Sequence, residues 1–445
     1  MSEYNRPTTE AEFEENFSQK RPLMNQTEAH YESSRCLFCY DAPCMNVCPT
    51  KIDIPLFIKQ IHTGNLTGAA KTIYDANWLG NTCAKVCPTG VLCEGECVFN
   101  EQKLKPLEIG RLQHYATDAL MESGRTLFTP GEPTGKKVAV IGAGPAGIAC
   151  ACELRMMGHE VTVFEAKKLP SGLTVHGIAP YKITNKDALK EMSYLQEQLG
   201  FKIQYESAIT TRDQLRELEN SYDAVFLGVG IGPTASLGLE GEDLDNVIGA
   251  VEFIEELRMK QHEMTVPDKV IVLGGGNTAM DAASECARMG AKDVNLAYRR
   301  SKEDMGAYDF EYDTIISSGA RSMFNVQPIG IEKGGSGNAT SGVRFIRTEM
   351  RNGRLEHMDG SEFVQECDLV IKATGQAKLA GFLSQVDGLE LDAKNRIVVN
   401  EQTHQTGNPK YFAAGDAVNG GAEVVNAAAE GKVAARGIDG WLNSC

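Results

Sequence analysis

The sequence VAVIGAGPAG, residues 138–147, is the stretch of this chain that indicates its fold most clearly. Its four leading apolar residues predict a buried parallel strand, and the glycines that follow allow a tight turn into a helix. Gly142, Gly144 and Gly147 have the spacing that lets backbone N–H groups approach a pyrophosphate at a helix N-terminus. Glu165 ends the next predicted strand, where an acid accepts hydrogen bonds from adenosine ribose hydroxyls. Together these features predict a dinucleotide-binding βαβ unit.

A second glycine-rich loop, residues 274–279, also lies between a predicted strand and a predicted helix. The strand after it ends in two arginines rather than an acid. Two cations at that position suit an adenosine 2′-phosphate and leave no carboxylate to repel it. This loop is therefore predicted to bind NADP rather than NAD. The residues assigned to this site are Gly274, Gly276, Asn277, Thr278, Ala279, Arg299 and Arg300.

The segment Ala414-Gly415-Asp416 follows a predicted strand and precedes a long predicted helix. In reductases that bind two dinucleotides, an Asp at this strand end meets the flavin ribityl chain. Gly415 and Asp416 thus assign the first loop to FAD. The fold class is predicted as α/β, with a helical N-terminal domain and two doubly wound, Rossmann-like domains, one inserted in the other. The predicted boundaries are 1–130 for the helical domain, 136–255 and 366–445 for FAD, and 256–365 for NADP.

Eight of the thirteen cysteines lie between residues 36 and 97, in two groups. Clustered thiolates with a Cys-Pro pair are typical of iron–sulfur ligation, and in two-cluster ferredoxins the Cys before Pro binds the other cluster. That rule places Cys48 on a different cluster from the rest of its group and favours Cys83 as the eighth ligand. The groups are Cys36-x2-Cys39-x4-Cys44-x3-Cys48-Pro49 and Cys83-x3-Cys87-Pro88-x4-Cys93-x3-Cys97.

Two other interpretations of the cysteines fit the sequence less well. Cys-x2-Cys is also a zinc motif, but zinc has no role in a redox flavoprotein. A disulfide reductase needs Cys-x2-Cys beside the nicotinamide, and the loop from Gly274 to Asp281 has none.

Composition excludes some functions. The chain has 445 residues, a net charge of −16 and a pI near 5.1, which argue against nucleic-acid binding. The first twenty residues are acidic and polar, so no signal peptide is expected. No apolar run approaches the ~20 residues of a membrane span. A cytoplasmic protein without membrane contact is therefore expected.

The run Arg35-Cys36-Leu37-Phe38-Cys39-Tyr40-Asp41-Ala42-Pro43-Cys44, with Leu79-Gly80-x-x-Cys83-x-x-x-Cys87-Pro88-Thr89, resembles the N-terminal half of dihydropyrimidine dehydrogenase. In bacteria that half is a separate NAD(P)H-oxidising subunit, and the glutamate synthase small subunit is a relative. The resemblance covers nearly the whole chain from about residue 25. It implies two 4Fe–4S clusters and leaves Cys83 off both. The implied ligands are Cys36, Cys39, Cys44 and Cys97 for one cluster, and Cys48, Cys87, Cys93 and the side chain of Gln113 for the other.

The resemblance also implies that Gly172 and Leu173 contact the flavin. Here the sequence departs from the family pattern. Its Gly-Gly-Leu is Ser171-Gly172-Leu173, and its Gly-Ile-Pro-x-Phe-Arg-Leu is replaced by residues 177–183, GIAPYKI. The details of flavin contact are therefore expected to differ.

The pyrimidine-reducing half of that family, with FMN and further clusters, has no counterpart in this sequence. The chain is therefore predicted to be an electron-input subunit that oxidises NADPH through FAD, with no side chain assigned as a catalytic residue. Its predicted partner, in a hetero-oligomer, is the FMN/iron–sulfur catalytic subunit that reduces uracil or thymine. One alternative is the small subunit of NADPH-dependent glutamate synthase or a related NADPH:ferredoxin-type oxidoreductase. Another is a non-catalytic iron–sulfur redox sensor or scaffold.

Overall fold

A computed structural model of the protein describes residues 4–335 and 337–444, and residues 1–3, 336 and 445 lie outside this described part. The chain forms two compact units. The larger unit comprises Gln19–Val175, Lys182–Ile231 and residues 378–444, and the smaller unit comprises residues 4–18, His176–Tyr181 and Gly232–Ala377. The smaller unit interrupts the larger one twice along the chain. The predicted α/β class, with one doubly wound domain inserted in another, is confirmed.

Helices account for most of the N-terminal region, and within the described residues none is both long and apolar enough to cross a membrane. The α-helices are α1 (Glu10–Asn16), α2 (Gln26–Ser34), α3 (Pro43–Val47), α4 (Ile54–His62), α5 (Leu66–Ala76), α6 (Gly80–Val86), α7 (Ile109–Ser123), α8 (Pro145–Met156), α9 (Leu173–His176), α10 (Asn185–Leu199), α11 (Arg212–Ser221), α12 (Ala250–Lys260), α13 (Asn277–Arg288), α14 (Asp309–Ser317), α15 (Ala380–Leu383), α16 (Asp416–Asn419) and α17 (Val424–Leu442).

Strands begin only after residue 136 within the described chain. They are β1 (Lys137–Ile141), β2 (Glu160–Phe164), β3 (Lys202–Gln204), β4 (Ala224–Leu227), β5 (Val247–Gly249), β6 (Lys269–Leu273), β7 (Asp293–Tyr298), β8 (Arg321–Phe324), β9 (Val326–Lys333), β10 (Thr340–Arg351), β11 (Arg354–His357), β12 (Phe363–Glu366), β13 (Leu369–Lys372) and β14 (Tyr411–Ala413).

The larger unit is built on a parallel sheet with strand order β14-β4-β1-β2-β3. Strand β1 lies in its centre because both faces of its apolar run, Val138 to Ile141, are buried. In parallel strands the carboxyl ends meet at one edge, so the loops after β1, β2 and β14 lie close together. Helices α2 to α7 and the loops between them contain both cysteine groups and pack in the same unit.

The smaller unit contains a second parallel sheet with strand order β5-β13-β6-β7-β8 and an antiparallel sheet of β9 to β12. Its main segment, Gly232–Ala377, is wider than the 256–365 stretch expected from the sequence. The physical reason is that β13 pairs with both β5 and β6, so the flanking strands belong to one sheet.

The N-terminal helix α1 belongs to the smaller unit, although the sequence groups it with the cysteine helices. It begins with a capping box at Thr9. Phe13 and Phe17 are buried in the same apolar core as Phe253. The Asn16 amide also donates a 2.7 Å hydrogen bond to the Arg288 carbonyl. Burial of this aromatic pair accounts for the position of α1.

Candidate cofactor sites

The first glycine loop connects β1 to α8 and has no room for side chains. Gly142 has a φ of +100°, and a Cβ there would lie 2.4 Å from the Gly228 carbonyl oxygen. A Cβ on Gly147 would lie 1.9 Å from the Gly142 oxygen. Gly144 is the N-cap of α8, so the unpaired N–H groups of the first helical turn begin at this loop. The predicted FAD loop thus has the geometry of a pyrophosphate site.

Glu165 lies directly beside this loop and is 8% exposed. One carboxylate oxygen accepts a 2.9 Å hydrogen bond from Ala143 N–H, and the other accepts from Lys167 N–H at 2.8 Å. The carboxylate therefore holds the loop in place. It also lies where a contact with the adenosine ribose is predicted.

The other predicted flavin residues lie at the N-terminal end of α8 too. A Cβ on Gly172 would be 2.9 Å from the Gly144 Cα, so the turn before Leu173 packs on the first loop. A Cβ on Gly415 would be 3.0 Å from the Ala146 Cβ. Burial raises the pKa of the neighbouring Asp416. The structure therefore brings the predicted FAD residues to one sheet edge.

Glu430 on α17 is a further residue of this edge that the sequence does not single out. It accepts a 2.7 Å hydrogen bond from Gly415 N–H and a 3.0 Å bond from the Asn419 side chain. Its effect is to hold the turn that presents Asp416. Its i+15 spacing from Gly415 gives no motif, so only the packing of α17 identifies it.

The second glycine loop connects β6 to α13 in the smaller unit. Gly274 has a φ of +151°, and a Cβ there would lie 2.4 Å from the Ala373 carbonyl oxygen. Gly276 is the N-cap of α13, and a Cβ there would meet open space. Asn277 accepts a 3.0 Å hydrogen bond from Tyr308 N–H, Ala279 is buried and Thr278 is exposed. The loop leaves one face clear at the helix N-terminus.

Arg299 and Arg300 follow β7, next to this loop. Their backbones are fixed, since the Arg299 carbonyl accepts from the Thr348 hydroxyl at 2.7 Å and the Arg300 carbonyl accepts from Asn325 N–H at 3.1 Å. The Arg299 side chain is exposed. The Arg300 Nε is buried without a hydrogen-bond partner among the described residues. An anion would satisfy this donor.

The first cysteine cavity brings together four thiols from both groups. Its wall holds Cys36, Cys39, Cys44 and Cys97. Burial raises the pKa of the Cys36 thiol and raises that of Cys44 to about 12. The remaining wall residues are apolar except for Glu96; they are Leu37, Pro43, Ile54, Pro55, Ile58, Val98, Phe99, Leu107 and Ile109.

The second cysteine cavity contains five candidate ligands: Cys48, Cys83, Cys87, Cys93 and Gln113. The Gln113 amide nitrogen donates a 2.6 Å hydrogen bond to the Gly80 carbonyl, which leaves its oxygen as the ligating atom. A hydrogen bond with Cys83 and burial raise the pKa of the Cys87 thiol. The geometry places both Cys83 and Gln113 at this cavity.

The two cavities share a wall residue, Ile54, and the second also contains Val425. Val425 is in the first turn of α17, the helix that follows Asp416 in the chain. The second cavity therefore adjoins the first cavity on one side and the first turn of α17 on another.

A buried carboxylate ties helices α5 and α6 of the cysteine region to helix α10. Glu191 on α10 accepts hydrogen bonds from Asn81 N–H at 2.6 Å, Thr82 N–H at 2.9 Å and the Tyr74 hydroxyl at 3.0 Å. It thereby caps α6, the helix that carries Cys83. Sequence reasoning missed this anchor because Glu191 looks like an ordinary helix residue.

The donor sets fit sulfur-bridged clusters. Within residues 4–335 and 337–444, no group of three or more His, Cys, Asp or Glu side chains forms a site for a single ion. The thiols instead line two cavities, and thiolates are the ligands of 4Fe–4S clusters.

Comparisons with known proteins agree with the predicted types of domain. Residues 13–125 match the profile of the dihydropyrimidine dehydrogenase domain II with a 4Fe–4S cluster. Residues 136–431 match the profile of pyridine nucleotide-disulphide oxidoreductases.

Two relatives align over almost their whole length. The chain is 37% identical to the small chain of NADPH glutamate synthase from Escherichia coli K12, covering 94% of this chain and 92% of that one. It is 33% identical to PreT, a subunit of the NAD-dependent dihydropyrimidine dehydrogenase of the same strain, covering 95% and 96%. Among solved structures, FprA of Mycobacterium tuberculosis in complex with NADPH has a TM-score of 0.57 at 17% identity, covering 70% of this chain and 85% of that one. The last comparison supports the fold alone.

These matches establish the cofactors. The chain uses 4Fe–4S clusters, FAD and a pyridine nucleotide, so the zinc alternative is wrong. Which side chains bind each group remains a prediction from the sequence and from the geometry above.

Proposed function

We propose, from the premise that this chain belongs to the pyridine nucleotide-disulphide oxidoreductase family, that it is the electron-input subunit of a larger enzyme. It is an NAD(P)H-dependent FAD/iron–sulfur oxidoreductase. In the proposal it oxidises NADPH through FAD and passes electrons through two 4Fe–4S clusters to an FMN/iron–sulfur subunit. That partner reduces uracil or thymine to the 5,6-dihydropyrimidine in a cytoplasmic hetero-oligomer. The cytoplasm fits because cluster assembly needs reduced cysteines.

The order of the sites in the larger unit supports this proposal most directly. The second cavity has Val425 of the flavin edge in its wall, and the first cavity is reached through Ile54. Leu37, in the wall of the first cavity, is 57% exposed. A series of sites that begins at a flavin edge and ends at the surface suits a protein that delivers electrons to another subunit.

Each predicted residue then has a defined role. When bound, FAD accepts a hydride and releases electrons singly, and the clusters transfer single electrons. The Gly142–Gly147 loop and Glu165 hold the flavin dinucleotide, with Gly172, Leu173, Gly415 and Asp416 beside it. The 274–279 loop and the two arginines hold NADPH. Cys36, Cys39, Cys44 and Cys97 hold one cluster, and Cys48, Cys87, Cys93 and Gln113 hold the other.

A second candidate is the small subunit of an NADPH-dependent glutamate synthase. The specific observation in its favour is the higher identity, 37% against 33%, to a protein whose name specifies NADPH. The Arg299-Arg300 pair agrees with that coenzyme. The short spacing of Cys36 to Cys48 and the Ala42-Pro43 pair favour the pyrimidine enzyme.

Reconstitution with defined partners tests both candidates. The purified chain is mixed with the catalytic subunit of a bacterial dihydropyrimidine dehydrogenase or with the large subunit of a glutamate synthase. NADPH-dependent reduction of uracil in the first mixture supports the proposal, and glutamate formation only in the second supports the alternative. NADPH-dependent dye reduction without turnover in either mixture contradicts both partner assignments. If the chain reduces no dye with NADPH, the result favours the alternative of a non-catalytic redox sensor.

The relay is tested with Cys48→Ala, with Cys286→Ala as the matched control because Cys286 is buried in the smaller unit, outside both cavities. Cys48→Ala should keep bound FAD, a cooperative melt and NADPH-dependent reduction of a dye that accepts from flavin. It should abolish uracil reduction by the complex. Normal uracil reduction by the folded variant would show that the clusters are not the route.

The coenzyme assignment is tested at the two arginines. A charge-assisted pair contributes ~1.5–3 kcal/mol, so Arg299→Ala and Arg300→Ala should each lower kcat/KM for NADPH by roughly tenfold to a hundredfold. Activity with NADH should barely change, and Arg354→Ala, on an exposed part of β11, should change neither. Equal use of NADH and NADPH by the unmodified protein would contradict the assignment.

A further inference from the structure

The wall of the second cavity contains polar side chains that are not among its proposed ligands. Asn77 is fully buried, and Thr89 is 2% exposed. The Asn77 Nδ2 and the Thr89 hydroxyl have no hydrogen-bond partner among the described residues, and both residues line the cavity. A buried donor without a partner destabilises the fold, because it has lost its hydration and gained no hydrogen bond. These two donors therefore require an acceptor at the cavity.

Local structure explains how the two donors are held. The Asn77 side-chain oxygen accepts a 3.0 Å hydrogen bond from Leu79 N–H, which fixes the amide plane. The Thr89 carbonyl accepts from the N–H groups of Leu92, Glu94 and Gly95, which fixes the turn after Cys87. These hydrogen bonds hold the backbone in both places, and they do not involve the Asn77 amide nitrogen or the Thr89 hydroxyl.

A third donor lies on the other cysteine group. The Thr50 hydroxyl is 3.3 Å from the Cys48 Sγ. Thr50 and Thr89 occupy the same place in a repeated tripeptide, since Cys48-Pro49-Thr50 and Cys87-Pro88-Thr89 both end in threonine. When Cys48 is a thiolate ligand it has no proton to donate, so the hydroxyl is the donor.

Among the described residues, the wall of the first cavity contains no such side-chain donors. Apart from its four cysteines, its wall is apolar except for the exposed carboxylate of Glu96. The two cavities thus present different surroundings to the same type of cofactor.

We propose that Thr50, Thr89 and Asn77 are hydrogen-bond donors to the sulfurs of the second cluster and raise its reduction potential. The inference rests on the ligand set proposed above. Thr50 donates to the Cys48 thiolate, and Thr89 and Asn77 donate to sulfur atoms in the cavity. One-electron reduction adds one negative charge without making or breaking a covalent bond. Donors to sulfur stabilise the reduced cluster more than the oxidised one.

The test is a potentiometric titration of the full-length holoprotein, with europium(II) chelates as reductant and EPR as the readout. Cys39→Ala, which removes a ligand of the first cluster only, identifies the two signals. Thr89→Val removes the hydroxyl and keeps the shape. It should lower the ratio of reduced to oxidised second cluster about tenfold at a fixed potential, or ~59 mV for one electron.

Matched variants separate this effect from a structural one. Thr89→Ser retains the hydroxyl and should titrate like the unmodified protein. Thr50→Val should shift the second cluster in the same direction as Thr89→Val. Thr63→Val, at an exposed site in the same helical region, should change neither cluster, and the first cluster should not shift in any variant.

Each outcome decides the question. Unchanged potentials of the second cluster in Thr89→Val and Thr50→Val would overturn the proposal. If Thr89→Val fails to retain iron, the Thr50→Val titration and loss of an exchangeable-proton coupling in electron–nuclear double resonance decide it. If the unmodified protein contains only one cluster, the ligand set itself is wrong and the inference fails with it.

Discussion

The two cysteine cavities contain similar thiol groups in different surroundings. In the first, two wall residues, Leu37 and Glu96, are exposed, and the loop beside it presents a fully exposed Tyr40. In the second, every wall residue is buried or partly buried, and Val425 from α17 closes one side. The thiol groups are alike, so their place in the fold makes the difference: the second cavity is internal, and the first reaches the surface.

This comparison explains why the cysteine groups cross. Cys48 follows its own group by only four residues, but α3 and the turn after it place its thiol with Cys87 and Cys93. Cys97 lies with Cys36 and Cys44 instead. Each cavity therefore ties the two halves of the helical region together, and loss of either set of thiols has structural as well as redox consequences.

The largest expected effect comes from removing one thiol from each cavity. Cys39→Ala and Cys93→Ala should each reduce bound iron from about eight to about four per chain and abolish electron delivery to the partner subunit. Cys93→Ala should also lower the melting temperature more, because its cavity is internal. Iron analysis and calorimetry check this. Equal destabilisation by both variants would contradict the contrast between the cavities.

The next effect concerns the fifth possible ligand of the second cavity. Gln113→Ala removes the proposed oxygen ligand, but Cys83 lines the same wall. We expect Gln113→Ala to retain about eight irons, with an altered EPR signal, and Gln113→Ala/Cys83→Ala to retain about four. Cys83→Ala alone should retain all the iron. Loss of iron in Cys83→Ala but not in Gln113→Ala would make Cys83 the resident ligand.

A third prediction compares the carboxylates that anchor each region. Glu191→Ala leaves two backbone N–H groups on α6 without acceptors, whereas Glu32→Ala, near Cys36, leaves one, that of Glu108. The expected losses in unfolding free energy are about 3 kcal/mol and about 1 kcal/mol. Glu197→Ala, at an exposed position on α10, is the control and should cost little. Denaturant titrations of the three variants measure these losses in unfolding free energy. Equal losses for Glu191→Ala and Glu32→Ala would contradict the prediction.

The smallest effect is kinetic. Under an oxidant and a chelator, iron should leave in two phases, with the first cavity emptying sooner because its wall reaches the surface. Burial raises the pKa of Cys44 to about 12, so this thiol binds a proton as soon as iron leaves. Lower pH therefore favours release, and the fast phase should accelerate from about pH 8 to about pH 6. Stopped-flow absorbance resolves the phases, and Cys39→Ala should lack the fast one.

Local sequence is sufficient for much of this protein. A strand, a glycine loop and a helix N-terminus are contiguous, so residue order alone locates the two loops predicted to bind FAD and NADP, and spacing alone locates the cysteine groups. The arginines after β7 are predicted as NADP contacts in the same way. Each of these features depends on backbone conformation or on residue spacing within about thirty positions.

Contacts between distant segments require the folded chain. Helix α1 belongs to the smaller unit because Phe13 and Phe17 are buried there, and no sequence motif predicts that packing. Glu191 becomes an anchor only because α10 places it at the N-terminus of α6. The sequence also gives no indication that Asn77 is a donor at the second cavity. For Thr89, the repeated tripeptide Cys-Pro-Thr is a sequence feature that could have drawn attention to it. Contacts between side chains far apart in sequence depend on burial and on hydrogen bonding in the folded chain. Sequence spacing therefore does not predict them.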